Sequence, residues 1–486
     1  MISTAISSTG EWITDKAWIS GLSGALGVLL CGYWFNRTNA LQDGVGIAGW
    51  KLTPFQLARQ LDLFHIAQVG VSRRHDIDSI LAALLMCCSV MLIIEGVRLW
   101  LWDRRNYFCI HPDLREGNYL IFFFKVIGNY LLNLTFLGLV MLFYRSAGEY
   151  GYLAQNDYYQ PWFRMLELAI IAYVWLGLPY VLLTRAVKHS PAADRRDMSM
   201  LLVRAALWIG AWLSVVPRSA VTFDGKDKKA IRALLVKLFF APLMTVFFVD
   251  HFPNLVNNFG YIIEHLPRAI SNHAYSHQRF NSDFFNITIT FIFSIDVALA
   301  WCGYVVSSRW VDNQTASAEP TMLGWLVCVC CYPPFQQFLG LYYSPPNERE
   351  ILQFTNQWLI TISTGMMLTS YLIYMSATLW FGVRFSNLTN RGIIRKGPYA
   401  LVRHPAYAAK NFAWWCVMFP AVIYNAMYAD TTLEAMSIAA LQITGLVFMT
   451  WFYYLRAITE ERHLNLDPAY QDYCQQVKYR FIPGVL

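Results

Sequence analysis

The chain has 486 residues, of which 56% are hydrophobic and only 14% charged, with a formal net charge of +7. Soluble globular domains carry about a quarter charged residues, so this composition excludes a water-soluble fold. No basic stretch stands free of apolar neighbours, so the surplus of Lys and Arg excludes a nucleic-acid footprint and reads as attraction to an anionic leaflet.

A bilayer core of about 30 Å takes about 20 apolar residues in helix, because hydrocarbon offers no partner for an open backbone amide. Runs of that length predict spans at 18–35, 76–102, 119–144, 163–184, 231–250, 285–307, 322–343, 357–381, 406–428 and 433–455. The expected fold is all-α, a polytopic integral membrane protein with about ten transmembrane helices. Ahead of the first span, MISTAISSTGEW lacks a basic region, so no cleavable signal peptide is expected. The run 198–216 is interrupted by Arg204 and ended by Pro217, which predicts an interfacial or re-entrant helix that does not cross.

Basic residues crowd two segments, 185–237 and 384–410, and the positive-inside rule puts both on the cytoplasmic side. With ten spans, the chain begins and ends on that side as well. The loop 36–74, with Arg37, Lys51, Arg59, Arg73 and Arg74, runs mildly against the rule. No retention or sorting signal is read, which suits a multi-pass protein of a bacterial inner membrane. Within the spans, Glu95, Lys125, Glu167 and Asp296 are costly unless paired. They are expected to pair structurally, with Lys125 partnering one of the acids, or else to line an acceptor pocket or proton path.

The segment 251–283 carries His251, His265, His273 and His277; the last two could chelate a metal from one helix face, but spacing fixes no third ligand. The ten cysteines form no paired CxxC motif, so neither a zinc site nor a disulfide framework is expected. A Pro pair and charges near 345–355 mark a boundary between a block at 1–350 and a unit at 351–486.

In that second unit the stretch GPYALVRHPAYAAKNFAWW sets Arg403 and His404 immediately before Pro405, which suits the first helical position because proline has no amide to leave open. A helix N-terminus beside two basic side chains is a ready anion site. The tail supplies Glu460 and Glu461 on one helical piece, then Asp467-Pro468 opens a second on which Tyr470, Tyr473 and Val477 share a face. Both pieces are too polar to span and are expected to lie at the interface against the loop of Arg403 and His404. A zwitterionic cofactor such as S-adenosylmethionine would use such a set: its carboxylate on Arg403 and the helix end, its amine on Glu460 or Glu461, its sulfonium on the face of Tyr407 or Tyr473. The bland readings stand beside this one: snorkelling anchors for Arg403 and His404, a solvated face for the glutamates, an aromatic belt for the tyrosines.

Taken together, GPY (397–399), RHPAY (403–407), Glu-Glu-x-x-Leu (460–464), Tyr470, Tyr473 and Val477, and the terminal FIP (481–483) resemble the isoprenylcysteine carboxyl methyltransferase family, with phospholipid methyltransferases similar. The resemblance covers about 375–486. It implies a methyltransferase-like helical unit with a cytoplasmic S-adenosylmethionine pocket, entered laterally by a lipophilic or lipid-linked acceptor. Carried over by position, Arg403, Glu460 and Glu461 become the catalytic candidates, and Tyr399, Arg403, His404, Tyr407, Glu460, Tyr470 and Tyr473 the cofactor-binding ones. Where the family has glycine this chain has Ala409, whose methyl would narrow the approach of a ligand to the helix backbone. Lys410-Asn411 and Trp414-Trp415 are not mapped onto the family pattern, and His463 is a candidate base. The block 1–350 resembles no family and is expected to form a lateral acceptor cavity or to dock a membrane protein partner. Two rival functions remain at this point. A sterol-reductase-like enzyme would hold the 2′-phosphate of NADPH with Arg384, Arg391 or Arg395; a transporter or scaffold would keep the C-terminal unit without catalysis.

Overall fold

The computed structural model describes residues 12–47, 50–51, 76–104, 106–147, 158–190, 198–215, 217, 225–336 and 356–485. The segments 1–11 and 52–75 and the expected boundary at 345–355 lie outside the described residues. The main helices are α1 (Trp18–Thr38), α2 (Ile77–Trp102), α3 (Tyr119–Ser146), α4 (Gln160–Val187), α5 (Met198–Trp212), α6 (Gly225–Gly260), α7 (His277–Val305), α8 (Met322–Val329), α9 (Gln357–Phe381), α10 (Pro405–Met427), α11 (Thr432–Leu464) and α12 (Pro468–Gln476). Two minimal antiparallel ladders accompany them, β1 (Gly46–Ile47) with β2 (Trp50–Lys51) and β3 (Ser317–Ala318) with β4 (Thr389–Asn390). The protein is an all-α polytopic membrane protein.

Among the described residues, 8 helices are long and apolar enough to cross a bilayer: α1 to α4, α6, α7, α9 and α11. The expected span at 406–428 is the 23-residue α10, about 34 Å at 1.5 Å per residue. Lys410, Asn411 and its aromatic residues make it less apolar than those eight, and it packs between α9 and α11.

The span expected at 322–343 is corrected. The helix α8 has 8 residues, about 12 Å, and the chain then turns through 330–335, where Pro333-Pro334 removes two amide donors and blocks helical continuation; residues 337–343 lie outside the described set. The 15 residues of α5 reach about 22 Å, short of a bilayer core, in line with a helix that does not cross.

Both basic segments, in their described residues, gather at one end of the bundle. Lys188 Nζ donates to the Tyr107 carbonyl (2.5 Å), Lys229 Nζ to that of Ala316 (2.6 Å) and Lys237 Nζ to that of Val305 (3.1 Å). The N-terminus of α9 lies at the opposite end, where Asn281 Nδ2 donates to the Gln357 carbonyl (3.0 Å) and His277 bonds Thr361 (2.8 Å). His277 thus braces α7 against α9. Among the described residues, no group of three side chains is arranged to hold a metal.

The ionisable groups of the spans divide into two kinds. Glu95 is fully buried and accepts from Arg98 (2.8 and 2.6 Å) and Arg384 (2.5 Å); Glu167 accepts from Arg164 one turn earlier. Lys125 does not pair with an acid inside a span: its partner is Asp113 at 2.5 Å, in a short helical turn ahead of α3, within easy reach of a residue in the second turn of that helix. Asp296 has no such cation among the described residues and belongs to the site described next.

Candidate functional site

The loop after α9 is shaped by close approach. At Gly397 φ is +64°, and a β-carbon there would fall 2.1 Å from the Trp380 indole, so GPY is a turn that only glycine fits. The strand pair β3–β4 pins Thr389 and Asn390, and Asn390 Nδ2 reaches Asp467 Oδ2 (2.8 Å), the capping residue of α12. Each of the three arginines that the NADPH reading offers to a 2′-phosphate makes contacts within the protein, and Arg384 and Arg391 also line the main cavity. Arg384 sits on Glu95, Arg391 donates to the carbonyls of Gly303 and Val306, and Arg395 forks onto both oxygens of Asp15 (2.9 and 2.8 Å). Burial lowers the Arg391 guanidinium to about 10, which leaves it charged at neutral pH.

The entrance of α10 and the tail are zipped together. The Arg403 amide donates to the Tyr479 carbonyl (2.9 Å) and the His404 amide to the Arg480 carbonyl (2.9 Å), so these two N–H groups are not open to an anion. Beneath them Glu461 collects Arg403 Nε (2.8 Å), His404 Nε2 (3.1 Å) and both Arg480 Nε and Nη2 (3.0 and 2.7 Å). Arg403 Nη1 is further held by the Val477 and Lys478 carbonyls. Tyr473 donates to the Tyr399 carbonyl (2.7 Å), and burial raises the phenol pKa of Tyr470 and Tyr473, so both stay protonated donors.

Above this latch lies a cavity of about 990 Å³, counted out to its open mouth. Of the residues singled out from sequence, Tyr399, Arg403, His404, Tyr407, Glu460, Tyr470 and Tyr473 line it; Glu461 does not, and acts as a structural hub behind the wall. Ala409 is likewise off the wall: it is buried against α9, where its carbonyl accepts from Ser370 Oγ (2.7 Å), so its methyl is a packing feature rather than an obstacle to ligand. His463 lines a smaller adjoining cavity with Glu319 and bonds Ser317 Oγ (2.8 Å), which fastens β3 to α11.

The main feature missed from sequence is Arg456, one helical turn before Glu460 on α11. It is 5% exposed, forms no ion pair among the described residues, and lies 4.8 Å from the Tyr407 ring centre, 5.7 Å from Tyr453 and 5.8 Å from Tyr332. The guanidinium is thus held by aromatic faces at the wall of the cavity. Glu460 faces the same space with 35% of its side chain exposed, and Tyr407 orients it through a 2.6 Å hydrogen bond to Oε2. The i, i+4 rule places Arg456 and Glu460 on one face, a signal the sequence did carry.

No protein-family model, curated protein or solved structure matches the chain.

Proposed function

We propose that the protein is an S-adenosylmethionine-dependent methyltransferase that methylates a lipophilic or lipid-linked acceptor at the cytoplasmic face of a membrane. The observation that carries this reading is the pair Arg456 and Glu460, a cation without an ionic partner among the described residues and an accessible carboxylate one turn apart on one cavity wall. That is the complement of an amino acid's carboxylate and ammonium groups. The tyrosines around it offer π-faces to a sulfonium. In this reading Arg403 lines the wall and Glu461 braces it from behind, while Arg456 takes the carboxylate role that the charge pattern of the sequence gave to Arg403. Methyl displacement asks mainly for alignment of donor and acceptor, which a rigid, latched cavity supplies. The basic loops beside the cavity support a cytoplasmic orientation, and the resemblance at 375–486 supports the reaction class.

The NADPH alternative is weakened by the ion pairs of Arg384 and Arg395 and the carbonyl contacts of Arg391. Calorimetry on the detergent-solubilised protein tests the two directly. S-adenosylhomocysteine should bind at micromolar affinity, NADPH should not, and Arg456→Ala or Glu460→Gln should each weaken S-adenosylhomocysteine about 10- to 100-fold, as expected for a charged hydrogen bond. Binding of NADPH without S-adenosylhomocysteine would overturn the proposal.

A further inference from the structure

We infer that Tyr374 takes the acceptor's proton, that Asp296 behind it receives the proton in turn, and that the acceptor is therefore a lipid-soluble phenol. This rests on the methyltransferase reading and gives it a substrate class.

Asp296 lies on α7 and is 6% exposed, yet its partners are neutral: Tyr374 donates to Oδ2 (2.9 Å) and Thr378 to Oδ1 (2.6 Å), both from α9. Glu95 and Glu167, the other two acids singled out within the spans from sequence, are each neutralised by arginine. A carboxylate kept in a span without a cation in ion-pair contact is costly and marks function by default. Tyr374 connects it to the cavity, whose wall it lines together with Tyr332, Tyr453 and Lys410. The Lys410 ammonium, from α10, lies 5.6 Å from the Tyr374 ring centre. Arg456, 5.8 Å from the Tyr332 ring centre and 5.7 Å from that of Tyr453, lines the same cavity, and the two cations together disfavour a cationic acceptor there.

The chemistry selects the acceptor. A carboxylate acceptor is already ionised at neutral pH, needs no base, and would meet the field of Asp296. A phenol, with an ordinary pKa of about 10, is protonated and needs one, and its ring suits a cavity end walled by tyrosines. In the transfer step the phenol oxygen attacks the methyl carbon of the sulfonium. The new O–C bond forms as the C–S bond breaks, with the electron pair left on sulfur to give a neutral thioether. The phenol proton passes to Tyr374 Oη while the Tyr374 proton passes to Asp296, which becomes a neutral acid and later releases the proton to water. Tyr374 is thus a catalytic residue, and Asp296, which acts through it, is a positioning residue and proton store.

The test uses the full chain in detergent, methyl-tritiated S-adenosylmethionine and a total lipid extract of the membranes in which the protein naturally resides. Label should enter the lipid phase as an alkali-stable product that does not bind a cation exchanger. Tyr374→Phe and Asp296→Asn should each lower kcat about 100-fold at pH 7 while leaving the affinity for S-adenosylhomocysteine unchanged. The deficit of Asp296→Asn should shrink about tenfold per pH unit as the phenol begins to ionise by itself, a recovery that a purely structural role would not give. Alkali-released methanol would mark an ester and overturn the inference, as would label on the cation exchanger, unchanged turnover in Tyr374→Phe, or no transfer from the extract by protein that binds S-adenosylhomocysteine. Protein that fails to bind S-adenosylhomocysteine would instead remove the methyltransferase reading itself.

Discussion

Glu461→Ala takes the acceptor from two guanidiniums and an imidazole at once, and its effect can be worked out from the latch. Breaking a buried ion pair by deleting one partner costs about 3–5 kcal/mol, because the remaining charge loses its compensation. Here Arg480 keeps 25% and Arg403 13% of its side chain exposed, so water recovers part of the loss and the expected cost is about 3 kcal/mol. Each 1.4 kcal/mol is a factor of about ten in an equilibrium, so the tail should detach about 100-fold more often. Lys478 and Arg480 sit in that tail, and trypsin attack on a transiently opened segment follows the open population when opening is fast. Limited proteolysis in detergent, read by mass spectrometry, should therefore show cleavage after Lys478 or Arg480 about 100-fold faster in Glu461→Ala. The neighbouring Glu460→Gln should leave cleavage unchanged and weaken ligand binding instead. Unchanged cleavage in Glu461→Ala, with S-adenosylhomocysteine binding abolished, would refute the latch and return Glu461 to the ligand.

Other expectations follow from single contacts. Glu95→Gln leaves Arg384, 1% exposed, facing a neutral amide, and should destabilise the protein by about 3 kcal/mol or more, seen as loss of monodisperse protein on size exclusion after mild heating. Tyr473→Phe removes the hydrogen bond to the Tyr399 carbonyl and should cost about 1 kcal/mol of stability, measured as a lowered melting temperature with ligand affinity nearly unchanged; a large affinity loss would make the phenol a ligand contact. Burial lowers Lys188 to about 8, against its ordinary value near 10.5. Between these values the unfolded chain holds more protons there than the folded one, so this group makes stability rise with pH from about 8 to 10.5. Reductive methylation followed by mass spectrometry should show Lys188 half-reactive near pH 8, well below exposed lysines.

Much of the architecture is legible because apolar run length maps directly onto helix length, as in α2 and α3. The failure at 322–343 has a local cause: the run is apolar but for Gln336 and Gln337, and Pro333-Pro334 stops the helix where composition alone continues it. At the site, RHPAY and the tail tyrosines could be paired in advance because both carry strong turn or capping chemistry. Which glutamate faces the cavity is not legible, since successive helical residues point about 100° apart and the phase of α11 is set by packing. The engagement of Arg384 and Arg395 was invisible because their carboxylates, Glu95 and Asp15, lie 289 and 380 residues away in sequence. Arg456 is legible in principle through its i+4 relation to Glu460, and the sequence marks Asp296 as an ionisable group in a span without fixing its role.

The arginines of the loop after α9 have a second consequence, which concerns time rather than place. In the cytoplasmic orientation we propose, Arg384, Arg395 and Arg403 are bare charges during insertion that hold their segment back from translocation. Once the bundle closes, Glu95, Asp15 and Glu461 neutralise them. The same side chains steer insertion first and rivet the finished cavity afterwards, so a charge-reversal there would corrupt the route into the membrane before it ever weakened the destination.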